Sequence, residues 1–279
     1  MKSRLKSRMK SKMNSMMPKL LSALSLTIAG CGGSGGNAAL SKSFSYGPAA
    51  APSASEQSAA NSAQSSLTDT ASFSSSPDAA RGAAVVVFAD ALAAVALGSA
   101  SGPLPHPQSG EIQRAIRAAA DFSACATLSG GTVTFKNCSQ SEGGYTVTLD
   151  GTISSSGGAV SWNMTGGFSG TQNNTTAKID LHQAGAMTVT ASTLNGHATS
   201  DFGGNVSGQG QNVSFGFASA VLVDLTWQSA PSSCVTGGSV EVRRVWTQKP
   251  SGASGPAFND AAVKLTWTGC NAVQIAHSK

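Results

Sequence analysis

Four cysteines between residues 125 and 270 are the residues whose type and spacing most directly suggest chemistry. They are Cys125, Cys138, Cys234 and Cys270, and a fifth, Cys31, stands apart near the N-terminus. In an exported chain an even number of cysteines suggests disulfides. Closure of a β-hairpin favours pairing Cys125 with Cys138 and Cys234 with Cys270. Zinc is the alternative, but the sequence lacks the C-x₂-C spacing that structural zinc sites use.

The histidines and acidic residues form no recognisable catalytic or metal-binding motif. The histidines are scattered, at His106, His182, His197 and His277. His182 and His197 can meet on neighbouring strands and bind a metal, although solvated polar positions explain both more simply. The acidic residues from residue 150 onward occur singly, at Asp150, Asp180, Asp201, Asp224, Glu241 and Asp260. Two carboxylates from separate strands can still assemble a glycosidase site. We predict no catalytic residue, no metal and no cofactor, and keep a glycan-acting enzyme as an alternative.

The N-terminus carries a basic segment followed by a short apolar run. Seven of the 18 Lys and Arg residues lie between residues 2 and 19, and residues 20–29 are mostly apolar. This run is too short to cross a bilayer core of about 30 Å, but its length is typical of a signal peptide. Without residues 1–30 the chain has 11 basic and 13 acidic residues. We therefore expect no basic surface for nucleic acid.

The apolar run ends in Ile28, Ala29, Gly30 and Cys31. An apolar residue, two small residues and a cysteine at this position resemble the lipobox of bacterial lipoproteins. The resemblance implies that Cys31 receives a diacylglyceryl group and becomes the acylated first residue of the mature chain. Gly32, where an aspartate would retain such a protein at the inner membrane, implies sorting to the outer membrane. At about 0.8 kcal/mol per buried CH₂, two or three acyl chains hold a protein on a membrane almost permanently.

The composition divides the rest of the chain into a linker and one folded domain. Residues 31–81 are rich in Gly, Ser and Ala, and such a sequence buries too little apolar surface to offset its chain entropy. We expect a flexible tether there. Residues 82–279 are expected to form one domain, with two helices over 82–120 and an antiparallel sheet over 121–279. Val85, Phe88 and Leu92 make the apolar stripe of the first helix.

From residue 121 onward the hydrophobic period changes from about 3.6 to two. Runs such as Val147 to Ile153 alternate with Thr and Asp, which is typical of strands with one buried face. Gly- and Asn-rich dipeptides separate about nine such runs and predict turns at residues 157–158, 173–174, 195–196 and 203–204. The pattern predicts an antiparallel meander with one apolar face and one face of Thr, Ser and Asn.

An alternating sheet of nine strands is about 40 Å wide, and two helices cover only about half of its apolar face. We therefore predict an α+β, mainly β fold: a curled meander, as a barrel or half-barrel, with the helical hairpin packed on it. An open concavity would bind a lipid or another hydrophobic ligand. A core filled by Trp162, Phe168, Phe215 and Trp227 would remove that alternative.

Two surface patterns add hypotheses about binding. Arg243 and Arg244 place one arginine on each face of a strand, where the inward one can contact an anion, although a charge that protects an edge strand is favoured. Thr-x-Thr pairs at residues 132/134, 146/148 and 188/190 suggest a flat array of hydroxyls of the kind used against ice or glycans, although Thr is also a common solvated strand residue.

Together these patterns predict a lipid-anchored protein of the bacterial cell envelope, at the outer membrane, with a non-enzymatic structural or interaction role. Its expected partners are the membrane, through Cys31, and an envelope protein, glycan or lipid ligand. The first alternative is a binding module for a lipid or other hydrophobic ligand, and the second is a glycan-acting enzyme.

Overall fold

The computed structural model describes residues 36–57, apart from residue 55, and residues 125–279, apart from residues 143, 173, 209, 229–233, 253, 255–257 and 271. Cys31 and the helical hairpin predicted over 82–120 lie outside the described residues. Within the described residues the structure is mainly β, with one short α-helix, α1, at Gly36–Ser41 and a helical turn at residues 54, 56 and 57.

Ten strands make up a single sheet. The sequence predicted about nine. The strands are β1 (Ala126–Ser129), β2 (Thr132–Glu142), β3 (Tyr145–Ser156), β4 (Ala159–Gln172), β5 (Thr175–Val189), β6 (Thr193–Gly208), β7 (Gln211–Trp227), β8 (Val235–Gln248), β9 (Ala261–Gly269) and β10 (Ala272–His277).

The strands follow one another across the sheet in chain order, and each neighbouring pair is antiparallel. This is the predicted meander. Of the two predicted forms, barrel and half-barrel, the closed barrel is wrong, because the sheet is open, with β1 at one edge and β10 at the other. To close the sheet, the outer backbone groups of β10 would have to pair with β1. Some of these groups, on Ile275 and His277, are already bonded to Ala50 and Gly47.

Glycines inside the strands explain two wrong turn predictions. The turn at Gly157 and Gly158 is present, with φ values of 56° and 84° that suit a two-residue hairpin. The predicted turns at residues 195–196 and 203–204 instead lie within β6. A side chain at Gly196, whose φ is 149°, would lie 2.2 Å from the Ala186 carbonyl oxygen on β5. A glycine therefore marks close packing as well as a turn.

Alternation sorts the side chains onto an apolar face and a polar face. The apolar face holds two clusters, one around Trp162 and Trp267 and the other around Phe168 and Phe215. Trp162, Phe168 and Phe215 are each 5% exposed. Trp227 is partly buried, and its Nε1 donates to the Ala191 carbonyl at 2.7 Å. The first three side chains therefore pack in the core and do not line an open concavity.

The cysteines pair as hairpin closure predicts. Cys125 lies against Cys138 and Cys234 against Cys270, with Cα atoms 5.5 and 5.4 Å apart, which fits disulfides. The first bridge fixes the start of the short edge strand β1 to β2. The second joins the segment before β8 to the turn after β9, so each bridge lies at the end of a hairpin.

The flexible tether predicted over 31–81 is wrong for residues 36–50, which pack against the sheet. We call these residues the N-terminal strap. The strap begins with α1 on the polar face over β6, β7 and β8 and ends beside β10. Its small side chains and backbone hydrogen bonds provide the contacts that the apolar content of the segment did not predict.

Candidate functional site

The strap meets the sheet through very small side chains. Ala39 of α1 and Ala218 of β7 are fully buried, and Ala220 is 1% exposed. Leu40 and Leu222 pack around them as partly buried neighbours. Because alanine side chains are short, the helix backbone approaches the strand closely. We call the polar face of β6–β8 under α1 the covered half, and the polar face of β2–β5 the exposed half.

Arg243 fastens the carboxyl end of α1. Its Nη1 donates to the carbonyl oxygens of Leu40 at 2.6 Å, Lys42 at 3.1 Å and Ala39 at 3.4 Å. The last carbonyls of a helix lack partners within the helix, and a cation there also interacts favourably with the helix dipole. Arg243 therefore supplies what a C-terminal cap would otherwise supply.

Glu241 holds Arg243 and Tyr46 together. Arg243 Nε donates to Glu241 Oε1 at 2.6 Å, and the Tyr46 hydroxyl donates to the same oxygen at 2.5 Å. Burial alone would raise the pKa of Glu241, but these two hydrogen bonds outweigh it and lower that pKa. Burial, followed by the hydrogen bond to Glu241, raises the pKa of Tyr46 well above its usual value. Tyr46, Glu241 and Arg243 therefore join the strap to β8, and the two hydrogen bonds stabilise the charged form of Glu241.

Backbone hydrogen bonds fix the far end of the strap to β10. The amide of Gly47 donates to the His277 carbonyl at 2.9 Å, and Ala50 and Ile275 exchange two bonds of 2.9 Å. Lys42 forms an ion pair with Asp260 nearby. The strap thus covers part of the β10 edge, which is one way in which proteins protect an edge strand from pairing with another chain.

The exposed half presents hydroxyl and amide groups across four strands. Several hydroxyls pair across neighbouring strands, as in Thr132 with Ser154 at 2.9 Å and Thr171 with Thr176 at 2.9 Å. Exposed polar side chains of this half include Thr148, Thr152, Ser161, Asn163, Thr165, Ser169, Thr171 and Thr176. Of the predicted Thr-x-Thr pairs, Thr148, Thr188 and Thr190 are exposed, whereas Thr132, Thr134 and Thr146 are partly buried.

His182 lies on this polar face with Asn163 and Asp201. Its Nε2 is 2.9 Å from Asn163 Oδ1, and its Nδ1 is 3.7 Å from Asp201 Oδ2. The contact between His182 and His197 that the sequence left open does not occur. His197 is four residues along β6 from Asp201, which is about 13 Å. No group of three or more His, Cys, Asp or Glu side chains in the described residues can hold a metal.

Two acidic residues lie on neighbouring strands here, which sequence spacing did not reveal. Asp180 and Asp201 are diagonal neighbours on β5 and β6, a relation that places Cα atoms about 7–8 Å apart. The Asp180 side chain is 62% exposed and lies 3.3 Å from Lys178, whereas Asp201 is 7% exposed. Asp180 is therefore a solvated member of an ion pair with Lys178, whereas Asp201 is buried beside His182.

Arg244 points to the apolar face, opposite to Arg243. The alternation predicted this, but the interpretation of these arginines as edge-strand charges is wrong, because β8 lies between β7 and β9. Arg244 is 6% exposed, and its Nη2 donates to the Asn259 carbonyl at 3.3 Å. Its Cζ is 5.6 Å from the centroid of the Trp246 ring. Burial lowers the pKa of this guanidinium, against the opposing effect of the Asp260 charge.

A buried polar row crosses the apolar face at the level of Arg244. Ser219 is directly opposite Arg244, Ser200 is opposite Ser219, and Gln183 is opposite Ser200. All four are at most 8% exposed. The row lies between the cluster around Trp162 and the cluster around Phe215, so the apolar face is divided rather than continuous.

Comparison with protein-family models, with curated proteins and with solved structures finds no match for this chain. No helix in the described residues is both long and apolar enough to span a membrane.

Proposed function

We propose that this chain is a lipid-anchored, non-enzymatic protein of the bacterial cell envelope, at the outer membrane, attached through Cys31. The observation that carries the proposal is the lipobox-like run at residues 28–31, which ends four residues before α1. Cleavage before Cys31 would remove none of the described fold. The two cysteine pairs at disulfide distance support an exported, oxidising location.

The role of the folded domain is structural or interactive. Its exposed half offers hydroxyl and amide groups with few charges, which is the chemistry of a surface that binds a glycan or the polar surface of another envelope protein. The lipid-carrier alternative needs an open apolar concavity. The burial of Trp162, Phe168 and Phe215 does not favour it.

Metabolic labelling with an alkyne analogue of palmitate tests the anchor. The full chain, expressed in a bacterium with two membranes, should incorporate the label and fractionate with the outer membrane. Cys31→Ser should lose the label, and Gly32→Asp should keep it but move to the inner membrane. Ser34→Ala is the matched control and should behave as the parent chain. An unlabelled parent chain, or label retained by Cys31→Ser, would contradict the proposal.

A further inference from the structure

We infer that the anchor is short and holds the covered half of the polar face close to the membrane. The inference rests on the proposed lipidation of Cys31. Only residues 32–35 separate that cysteine from α1. Five Cα–Cα steps of at most about 3.6 Å span no more than about 18 Å. The Cα atoms of the acylated Cys31 and of Gly36, the first residue of α1, therefore lie no more than about 18 Å apart.

The strap cannot lengthen this distance while its contacts with the sheet persist. Ala39 is fully buried against Ala218, and Arg243 donates to three carbonyl oxygens at the end of α1. The pairing of Ala50 with Ile275 fastens the strap a second time. Releasing the whole strap would leave Glu241 without the Tyr46 hydroxyl and would expose the buried alanines.

The consequence is a preferred orientation of the sheet. A tether of about 50 flexible residues would have an r.m.s. length of about 40 Å and would let the domain tumble. With four linker residues the covered half faces the bilayer. The middle of the exposed half lies several strands to one side, and β3 is four strands from β7, or about 19 Å. A partner of the exposed half would then be met beside the membrane surface.

Energy transfer to the membrane tests this orientation. The mature, lipidated chain is reconstituted in vesicles of phosphatidylethanolamine and phosphatidylglycerol that carry an acceptor on a fraction of the headgroups. A donor dye is placed at Asp224→Cys on β7 or at Thr152→Cys on β3, both exposed on the polar face. We expect more efficient transfer from Asp224→Cys than from Thr152→Cys. The native cysteines do not compete, because Cys31 is acylated and the other four are paired.

A linker insertion supplies the decisive comparison. A flexible Gly-Ser insertion between Ser34 and Gly35 should lower transfer from Asp224→Cys toward the value of Thr152→Cys. The same insertion between Thr190 and Ala191, in the connection between β5 and β6, should leave both values unchanged. Equal transfer from the two positions before insertion, or no change after it, would overturn the inference. Intact mass measurement of the acyl chains is made on every sample, so that a missing lipid is recognised as failure of the proposed function instead.

Discussion

The covered and exposed halves of the polar face differ in the side chains that one alternating pattern places there. On β7 the polar-face positions are Ala218, Ala220 and Leu222, and α1 packs on them. On β4 the equivalent positions are hydroxyls and amides such as Ser161 and Asn163, which are exposed. The two halves belong to one sheet and share one register. Side-chain size and polarity alone therefore decide which half receives the strap.

The strap is held by close packing of small side chains and by hydrogen bonds from Arg243, and less by the area of apolar surface that it buries. The buried alanines remove little surface from water, whereas Arg243 satisfies carbonyl groups that would otherwise lack partners. Loss of either should be costly in the covered half. A similar change in the exposed half should cost little.

The largest effect is expected when a charge is placed under α1. Ala218→Asp puts a carboxylate at a fully buried position directly opposite Asp201. An unpaired buried charge beside a like charge should lower the free energy of unfolding by about 3–5 kcal/mol. Urea unfolding followed by tryptophan fluorescence measures it. Ser161→Asp in the exposed half is the matched control and should change stability by less than about 0.5 kcal/mol. Equal losses would refute the distinction between the halves.

The sheet was more predictable from the sequence than the strap. The period-two alternation identified the meander, and hairpin closure identified both cysteine pairs, because these are local properties of neighbouring strands. The strap was missed since Ala39 contacts Ala218 about 180 residues away, and no local rule links them. One signal was present: β7 is apolar at both faces around Ala218 to Val223, which is typical of a strand covered on both sides. A Ser53-x-x-Glu56 capping box also marked the helical turn, with Ser53 N donating to Glu56 at 2.8 Å.

The polar cluster of Asn163, His182 and Asp201, where the exposed half meets β6, was not predictable for a different reason. The contact of His182 with Asp201 depends on the register of β5 and β6. That register was obscured when Gly203 and Gly204 were interpreted as a turn. Similarly, Asp180 and Asp201 become neighbours only through pairing between strands, which sequence spacing does not encode.

A smaller effect is expected when the hydrogen bonds from Arg243 to the end of α1 are removed. Arg243→Met should lower the free energy of unfolding by about 2–4 kcal/mol, because it leaves helix carbonyls without their donor and leaves the partly buried Glu241 with the Tyr46 hydroxyl but no cation. Limited proteolysis should then cleave the strap faster than in the parent chain. Lys178→Met, which removes an exposed ion pair with Asp180, should cost less than about 1 kcal/mol. An intact strap in Arg243→Met would show that the alanine contacts suffice.

The contribution of Glu241 and Tyr46 to the stability of the protein should depend on pH only in the acidic and the alkaline range. The pKa of Glu241 is lowered from 4.5, so its contribution is present above that pH and is lost as the pH falls through the folded-state pKa. The pKa of Tyr46 is raised from 10.0, so its contribution is present below that pH and is lost at more alkaline pH. Unfolding measured against pH should show Glu241→Gln flattening the acidic limb and Tyr46→Phe the alkaline limb. Limbs unchanged by both substitutions would contradict this assignment.

The smallest effect is expected at the edge that the strap does not reach. Leu128 on β1 is 68% exposed, so Leu128→Ser removes little buried apolar surface and should change the free energy of unfolding by less than about 0.5 kcal/mol. Ile275→Ser on β10, where the side chain is 5% exposed beside Ala50, should cost several times more. Urea unfolding of both variants at two protein concentrations measures the difference. A loss above about 1 kcal/mol for Leu128→Ser, together with a concentration-dependent stability of the parent chain, would mean that a second copy covers β1, since only association makes stability depend on concentration.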